Sequence, residues 1–168
     1  MPERKILILD KKQIQQKIIR MAYQIWEDNL EENELIIAGI VNSGYTLAEY
    51  LQKEVQKISG IKVTLMKISL DKDISHLKAD TDLAIDACSN KVVILVDDVL
   101  NSGRTLAYGL GVFLNIPLKK LRTAVLVNRS HRNFPISSDY TGLDLATVIK
   151  EHVDVVLKSS EEDAVYLR

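Results

Sequence analysis

The stretch VVILVDDVLNSGRTL, residues 92–106, decides how this chain is read. Val92, Val93, Ile94, Leu95 and Val96 form a continuous apolar run, the pattern of a strand buried on both faces of a sheet. Asp97 and Asp98 follow at its end, and a short polar turn, Asn101, Ser102, Gly103, Arg104 and Thr105, then opens a helical pattern. Such a turn sets several backbone N–H groups at a helix N-terminus, where hydroxyls and the helix dipole favour a phosphate, and Gly103 lets the backbone come close. Two carboxylates facing the same phosphate would repel it. Asp97 and Asp98 must therefore address its neighbour, either the hydroxyls of a sugar or a magnesium ion. A phosphate beside a diol describes a ribose 5-phosphate. The segment has neither the G-x-x-x-x-G-K-[ST] loop of an ATPase nor the G-x-G-x-x-G of a dinucleotide site, so neither NTP hydrolysis nor hydride transfer is indicated.

Outward from this segment, apolar runs of strand length alternate with helical stripes. Ile14, Ile18, Met21, Ala22 and Ile25 recur at helical spacing within residues 11–28, and Leu47, Leu51, Val55 and Ile58 do so after the turn that contains Gly44. Strands are expected over residues 35–40, 63–68, 92–96 and 123–127, with shorter ones over 143–148, 153–157 and 165–167. A third helix is expected over 105–114, stopping before Pro117. Between residues 71 and 86 the pattern dissolves into mixed charges, which reads as a mobile loop. Alternating strands and helices indicate an α/β fold with a central parallel sheet and helices on both faces. Ligands in such sheets bind beyond the carboxyl ends of the strands, which directs attention to residues 41–45 and 97–105.

The 168 residues suit one domain over residues 1–168, and a formal charge of −1 with 46% hydrophobic residues excludes a disordered or collagenous chain. No apolar run approaches the roughly 20 residues of a membrane span. A charge near zero argues against a dedicated nucleic-acid binder, which would carry a basic excess. The single cysteine, Cys88, excludes an internal disulfide and suits a reducing compartment, so the cytoplasm is expected. His131 and His152 lack a second ligand at metal spacing and read as surface or capping residues. Trp26 and Phe113, beside apolar stripes, read as packing residues. Tyr140, with Ser138, Asp139 and Gly142 around it, reads as a loop residue whose ring is exposed to a ligand.

Residues 92–106 are similar to the signature of the type I phosphoribosyltransferases, which bind phosphoribosyl pyrophosphate. The likeness extends to AVLVNRSHRNFPISSDYTG, residues 124–142, and to EHVDVVL, residues 151–157. Within the family it resembles most the pyrimidine operon attenuation regulators that are also uracil phosphoribosyltransferases. The resemblance implies a mostly parallel sheet with flanking helices, a small hood and a flexible lid over about residues 71–86.

The resemblance also implies roles. Asn101, Ser102, Gly103, Arg104 and Thr105 would hold the 5-phosphate, and Asp97 and Asp98 would meet the ribose hydroxyls. Val41, Asn42, Ser43 and Gly44 would form the pyrophosphate loop, and Lys72 would stand in the lid where relatives put an arginine. On the base side, Tyr140 would stack on the ring, Thr141 would offer backbone hydrogen bonds, and Asn128 with Arg129 would lie at the base's edge. Mg2+ would arrive with the pyrophosphate, without a direct protein ligand, Asp97 reaching it through water. The implied reaction is transfer of ribose 5-phosphate from phosphoribosyl pyrophosphate to a nucleobase, uracil giving UMP and pyrophosphate, by a homodimer or higher homo-oligomer to whose contact the apolar residues near Trp26 would contribute.

The chain departs from the pattern at three places. Relatives carry threonine and arginine before Gly44 where this chain has Asn42 and Ser43; an acidic residue (lysine in purine-using cousins) where it has Asn128; and tyrosine and arginine where it has Asp71 and Lys72. These departures keep two alternatives open, a catalytically weak nucleotide-sensing regulator of pyrimidine metabolism and a purine-base enzyme. RNA attenuation is disfavoured, because arginines of the relatives' basic face correspond to neutral residues such as Ala107. Arg20, His131, Arg132 and Lys150 then read as solvated.

Overall fold

The computed structural model describes residues 4–71, 79–148, 150–158 and 162–168. The chain opens with β1 (Ile6–Leu9) and α1 (Lys11–Asp28). Asp10 starts that helix through a reciprocal cap, its carboxylate accepting from the Gln13 N–H at 2.8 Å while Gln13 Oε1 accepts from the Asp10 N–H at 2.9 Å. The stripe Ile14, Ile18, Met21, Ala22 and Ile25 is buried as its spacing predicts. β2 (Glu34–Ile40), α2 (Ser43–Ile58) and β3 (Lys62–Leu70) follow, then β4 (Ala79–Thr81), a 3₁₀ turn (Ile85–Cys88), β5 (Val92–Leu100), α3 (Arg104–Gly111), β6 (Lys120–Arg129), β7 (Tyr140–Leu145), β8 (Val153–Val156) and β9 (Ala164–Leu167).

Six strands form one sheet in the order β4-β3-β2-β5-β6-β7, parallel throughout except for β4, which runs antiparallel to β3. Both faces are covered. On β2, Leu35 and Ile37 pack with the stripes of α1 and α2, while Ile36, Ala38 and Ile40 pack with Leu95, Leu106 and Phe113 on the α3 side. That two-sided burial is why β2 and β5 read as unbroken apolar runs rather than alternating ones. Each such Ile or Leu contributes roughly 1.5–3 kcal/mol relative to exposure.

Two expectations are corrected here. Residues 71–86 are not all loop: β4 pairs Ile68 with Thr81 and Leu70 with Ala79, and Leu83 and Ile85 pack on the α3-side core. The strand expected over 143–148 lies instead at Tyr140–Leu145, because the Asp139 carboxylate accepts from the Thr123 N–H at 2.9 Å and Thr123 Oγ1 accepts from the Asp139 N–H at 3.2 Å, which seats the start of β7 beside β6.

β1, β9 and β8 form a second, antiparallel sheet in that order, a hood over the larger one. It is tied to α2 where the Tyr50 hydroxyl donates to Asp163 Oδ2 at 2.6 Å, and Asp163 Oδ1 accepts from the Lys158 N–H. Cys88 is buried beside Met66, and burial raises its thiol pKa. Among the described residues no helix is long and apolar enough to cross a membrane.

Candidate active site

The carboxyl ends of β2 and β5 open into a cavity of about 300 Å³. Its lining includes Val41, Asn42 and Ser43 from the turn after β2, Asp97, Asp98, Asn101 and Thr105 from the end of β5 and the turn beyond, and Val153 from the hood. The turn itself encloses a smaller hollow of about 40 Å³, lined by Asn101, Ser102, Gly103, Arg104 and Thr105. Two segments far apart in the chain, both singled out by sequence, thus meet at one site.

Local backbone geometry explains the residues used. Gly103 caps α3 at φ 87°, a left-handed conformation that glycine adopts without penalty, and a side chain there would also meet Ile136 Cβ at 3.2 Å. Gly44 lets the first turn of α2 lie against β5, since a Cβ would come within 2.9 Å of Asp97 Cα and 3.0 Å of the Val96 carbonyl oxygen. The Val41–Asn42 peptide is cis. Asp97 is 8% exposed, its Oδ1 accepting from the Asp98 N–H at 2.9 Å, while Asp98 Oδ1 accepts from the Val99 N–H at 2.8 Å. Both carboxylates are thereby held against their own backbone at the cavity wall. The Arg104 guanidinium turns along α3, Nε donating to the Tyr108 hydroxyl at 3.2 Å and Cζ lying 5.3 Å from that ring's centroid. The turn therefore offers an anion its backbone N–H groups and the hydroxyls of Ser102 and Thr105 more directly than a guanidinium.

Behind the turn stand two arginines. Arg132 donates to the backbone oxygens of Leu100, Asn101, Arg129 and Ile136 and to Asn128 Oδ1, tying together the exits of β5 and β6. Burial pulls its guanidinium below the ordinary value, opposed by the Asp144 carboxylate. Arg129, 6% exposed, reaches Asn101 Oδ1 at 3.0 Å, Thr147 Oγ1 at 2.9 Å and the Glu151 oxygen at 2.6 Å. It is sealed inside the wall, not laid along a base's edge, because its fork is committed to these loops.

The base-side expectation for Tyr140 is also corrected. Its ring is only 5% exposed, packed in the α1-side core, and its hydroxyl donates to Asp28 Oδ2 at 2.5 Å. It stands level with Val96, four rows below the level of Leu100, because Ala124 pairs with Tyr140 and with Val96. Thr141 lies one row above Tyr140, and its carbonyl accepts from Arg20 Nη2 at 3.1 Å. Asn128 does stand at the carboxyl end of β6, level with Leu100 and Asp144, and donates to Asp144 Oδ1 at 2.8 Å. Arg132 and His131, read as solvated, are half-buried and bond to backbone oxygens, His131 Nε2 lying 2.8 Å from the Thr147 oxygen, while Arg20 is exposed as read and donates to the Gly142 oxygen. Lys72 lies outside the described residues.

Sequence reasoning missed Val153 as a wall of the cavity and Thr147 and Glu151 as partners of Arg129. The only signal for Val153 was its place in EHVDVVL, which read simply as a strand. A larger cavity of about 430 Å³, between β4 and α3, is lined by Leu70, Thr81, Tyr108 and Asn115, among others, and has neither the acid pair nor the phosphate turn.

Acid pair, glycine turn and second loop gathered at the carboxyl edge of a parallel sheet beneath a hood define a phosphoribosyl-transferring class of protein. The model of the phosphoribosyl transferase domain family matches residues 7–160, and the chain belongs to that family, with the type I fold. It is 32% identical over 177 residues to the Bifunctional protein PyrR of Macrococcus caseolyticus, the match covering 98% of this chain and 99% of the relative. It is 34% identical to the protein of the same name from Pelotomaculum thermopropionicum, covering 99% and 98%. Among solved structures, a hypoxanthine-guanine phosphoribosyltransferase of Bacillus anthracis superimposes with a TM-score of 0.72 at 25% identity, covering 83% of this chain and 81% of that one. The hypoxanthine phosphoribosyltransferase of Trypanosoma cruzi shares the fold, with a TM-score of 0.79 at 18% identity over 96% and 94%.

Proposed function

We propose that this protein transfers the ribose 5-phosphate unit of phosphoribosyl pyrophosphate to uracil, giving UMP and pyrophosphate. The observation that carries the reading is the meeting of the 41–44 loop with the acid pair and the 101–105 turn around one cavity. In this reading Asn101, Ser102, Gly103 and Thr105 hold the 5-phosphate, Asp97 and Asp98 face the ribose hydroxyls, and Val41, Asn42, Ser43 and Gly44 receive the pyrophosphate. A nitrogen of the base attacks ribose C1 as the bond to pyrophosphate breaks, the proton on that nitrogen passing to solvent or to the departing pyrophosphate, and the two carboxylates stabilise the cationic character that the sugar gains in between. No protein nucleophile takes part. Apolar Val153 offers one face to the base, and the hood limits access of water that would hydrolyse the donor.

The donor set at this edge suits a hard cation, being all oxygen, and no cluster of three or more His, Cys, Asp or Glu occurs among the described residues. Asp97 and Asp98 would border a Mg2+ ion that arrives with the diphosphate, Asp97 reaching it through water, and the ion would neutralise charge on the leaving group.

Uracil is supported by the resemblance to the uracil-using regulators and by the similarity to proteins named PyrR. Hypoxanthine or guanine is the second reading, favoured by the Bacillus anthracis neighbour. Calorimetric titration with phosphoribosyl pyrophosphate and Mg2+, followed by uracil, hypoxanthine and guanine in turn, tests both. Reaction heat and pyrophosphate release with uracil support the proposal. Turnover with a purine alone replaces the acceptor, donor binding without turnover leaves a nucleotide-sensing regulator, and no donor binding overturns the reading altogether.

A further inference from the structure

Arg129 is a nearly buried cation whose hydrogen-bond acceptors among the described residues are all neutral. They are Asn101 Oδ1 at 3.0 Å in the turn after β5, and Thr147 Oγ1 at 2.9 Å, the Val148 oxygen at 3.5 Å and the Glu151 oxygen at 2.6 Å in the loop after β7. Taking a guanidinium out of water is costly, and a planar fork with all three nitrogens engaged fixes the spacing of whatever it joins. Here it joins the turn that faces the donor's phosphate to the loop that runs directly into Val153, the hood residue on the cavity wall. His131 adds a second tie to the same loop, Nε2 lying 2.8 Å from the Thr147 oxygen.

We infer that Arg129 is a positioning residue: through Asn101 Oδ1 it holds Thr147, Val148 and Glu151, and with them Val153, in register with the 101–105 turn. Asn101 thus serves two sides of the site, its backbone in the phosphate turn and its side chain in the frame of the opposite wall. The wall's role in receiving a base rests on the function proposed above; the mechanical link does not. The consequence is specific, because Asn101 makes no hydrogen bond of its own to the described residues between 147 and 153, yet its side chain sets how firmly they are held.

The test is amide hydrogen exchange on the full-length protein without ligand, comparing Asn101→Ala, Asn101→Asp and Arg129→Lys with wild type. Loss of one hydrogen bond to a charged donor corresponds to roughly tenfold. Asn101→Ala is therefore expected to speed exchange in residues 146–153 about tenfold while β2 and β5 stay protected. Asn101→Asp restores an acceptor for Arg129 and returns that exchange to the wild-type rate. Arg129→Lys, a single ammonium in place of a fork, fails to hold all its acceptors and behaves like Asn101→Ala. Exchange in residues 146–153 unchanged in Asn101→Ala, or not rescued in Asn101→Asp, overturns the inference. Should Arg129→Lys fail to fold, the Asn101 pair alone decides. Because no substrate is present, this outcome is independent of turnover. In protein that turns over, Arg129→Lys is expected to raise KM for the base about tenfold more than it lowers kcat, and an equal loss in both would count against a role in positioning.

Discussion

At the scale of single residues, the site depends on what is absent as much as on what is present. Gly44→Ala would drive a Cβ to 2.9 Å from the backbone of Asp97, where no flexible side chain can give way, so α2 and β5 must part. A stability loss on the order of 1–3 kcal/mol is expected from such overpacking, with a weakened affinity for phosphoribosyl pyrophosphate because both loops of the site shift. Thermal melts with and without the donor check it; a variant that melts and binds like wild type would refute the packing argument. Tyr140→Phe makes the opposite case. The ring is inside the core and only its hydroxyl reaches Asp28, so the expected change is about 1.5–3 kcal/mol of stability with kcat/KM for the base intact. A large rise in base KM with unchanged stability would restore Tyr140 to the ligand.

At the scale of elements, what could be read from sequence was what is contiguous. β5, the acid pair and the glycine turn sit in one unbroken segment, and β2 and β5 are apolar on both faces, so their burial and their order announced a parallel sheet with a ligand at its carboxyl edge. β4 escaped notice because it is a three-residue edge strand, Ala79–Thr81, with a charged member and only one neighbour to satisfy. Its pairing partner fixes it, not its own pattern. Arg132, read as solvated, and the loop partners of Arg129 escaped for a different reason: nothing local distinguishes an arginine that faces solvent or a ligand from one whose acceptors lie on the exits of other strands. The hood shows the same dependence on distant partners. Tyr50→Phe removes the hydroxyl that donates to the buried Asp163 carboxylate at 2.6 Å, and should cost about 1.5–3 kcal/mol. The loss should be concentrated where the tie is made, with amide exchange accelerating in β8 and β9 and not in β6. Uniform acceleration would mean that the hood and the main sheet unfold as one unit.

At the scale of the whole molecule, the sheet separates two polar assemblies, one at each end. The carboxyl ends of β2 and β5 carry the cavity; the amino end carries Asp28, which accepts from Tyr140 and pairs with Lys120 Nζ at 3.5 Å and Arg122 Nε at 3.3 Å. Roughly 25 Å of strand separates the two ends of β5. The hydrogen bond from Tyr140, then Lys120 and Arg122, hold the Asp28 carboxyl below its ordinary value of 3.8, against a burial that raises it. A depressed folded-state value means that the unfolded chain takes up the proton first, so the stabilisation is complete above the ordinary carboxylate range and is lost as pH falls through the folded value. Tyr140 shifts the other way: burial first, then the Asp28 carboxylate, raise its phenol, so its contribution is present below about pH 10 and declines as pH rises beyond that. Urea unfolding followed between about pH 7 and pH 3 should therefore show wild type losing stability more steeply than Asp28→Asn below about pH 4. At neutral pH the variant should already be the less stable, with donor affinity at the far end of the sheet unchanged. Parallel acid limbs for the two proteins would show that the carboxylates responsible for acid sensitivity lie elsewhere, and a loss of donor affinity would show that the two ends of the sheet are coupled through β5 and β6.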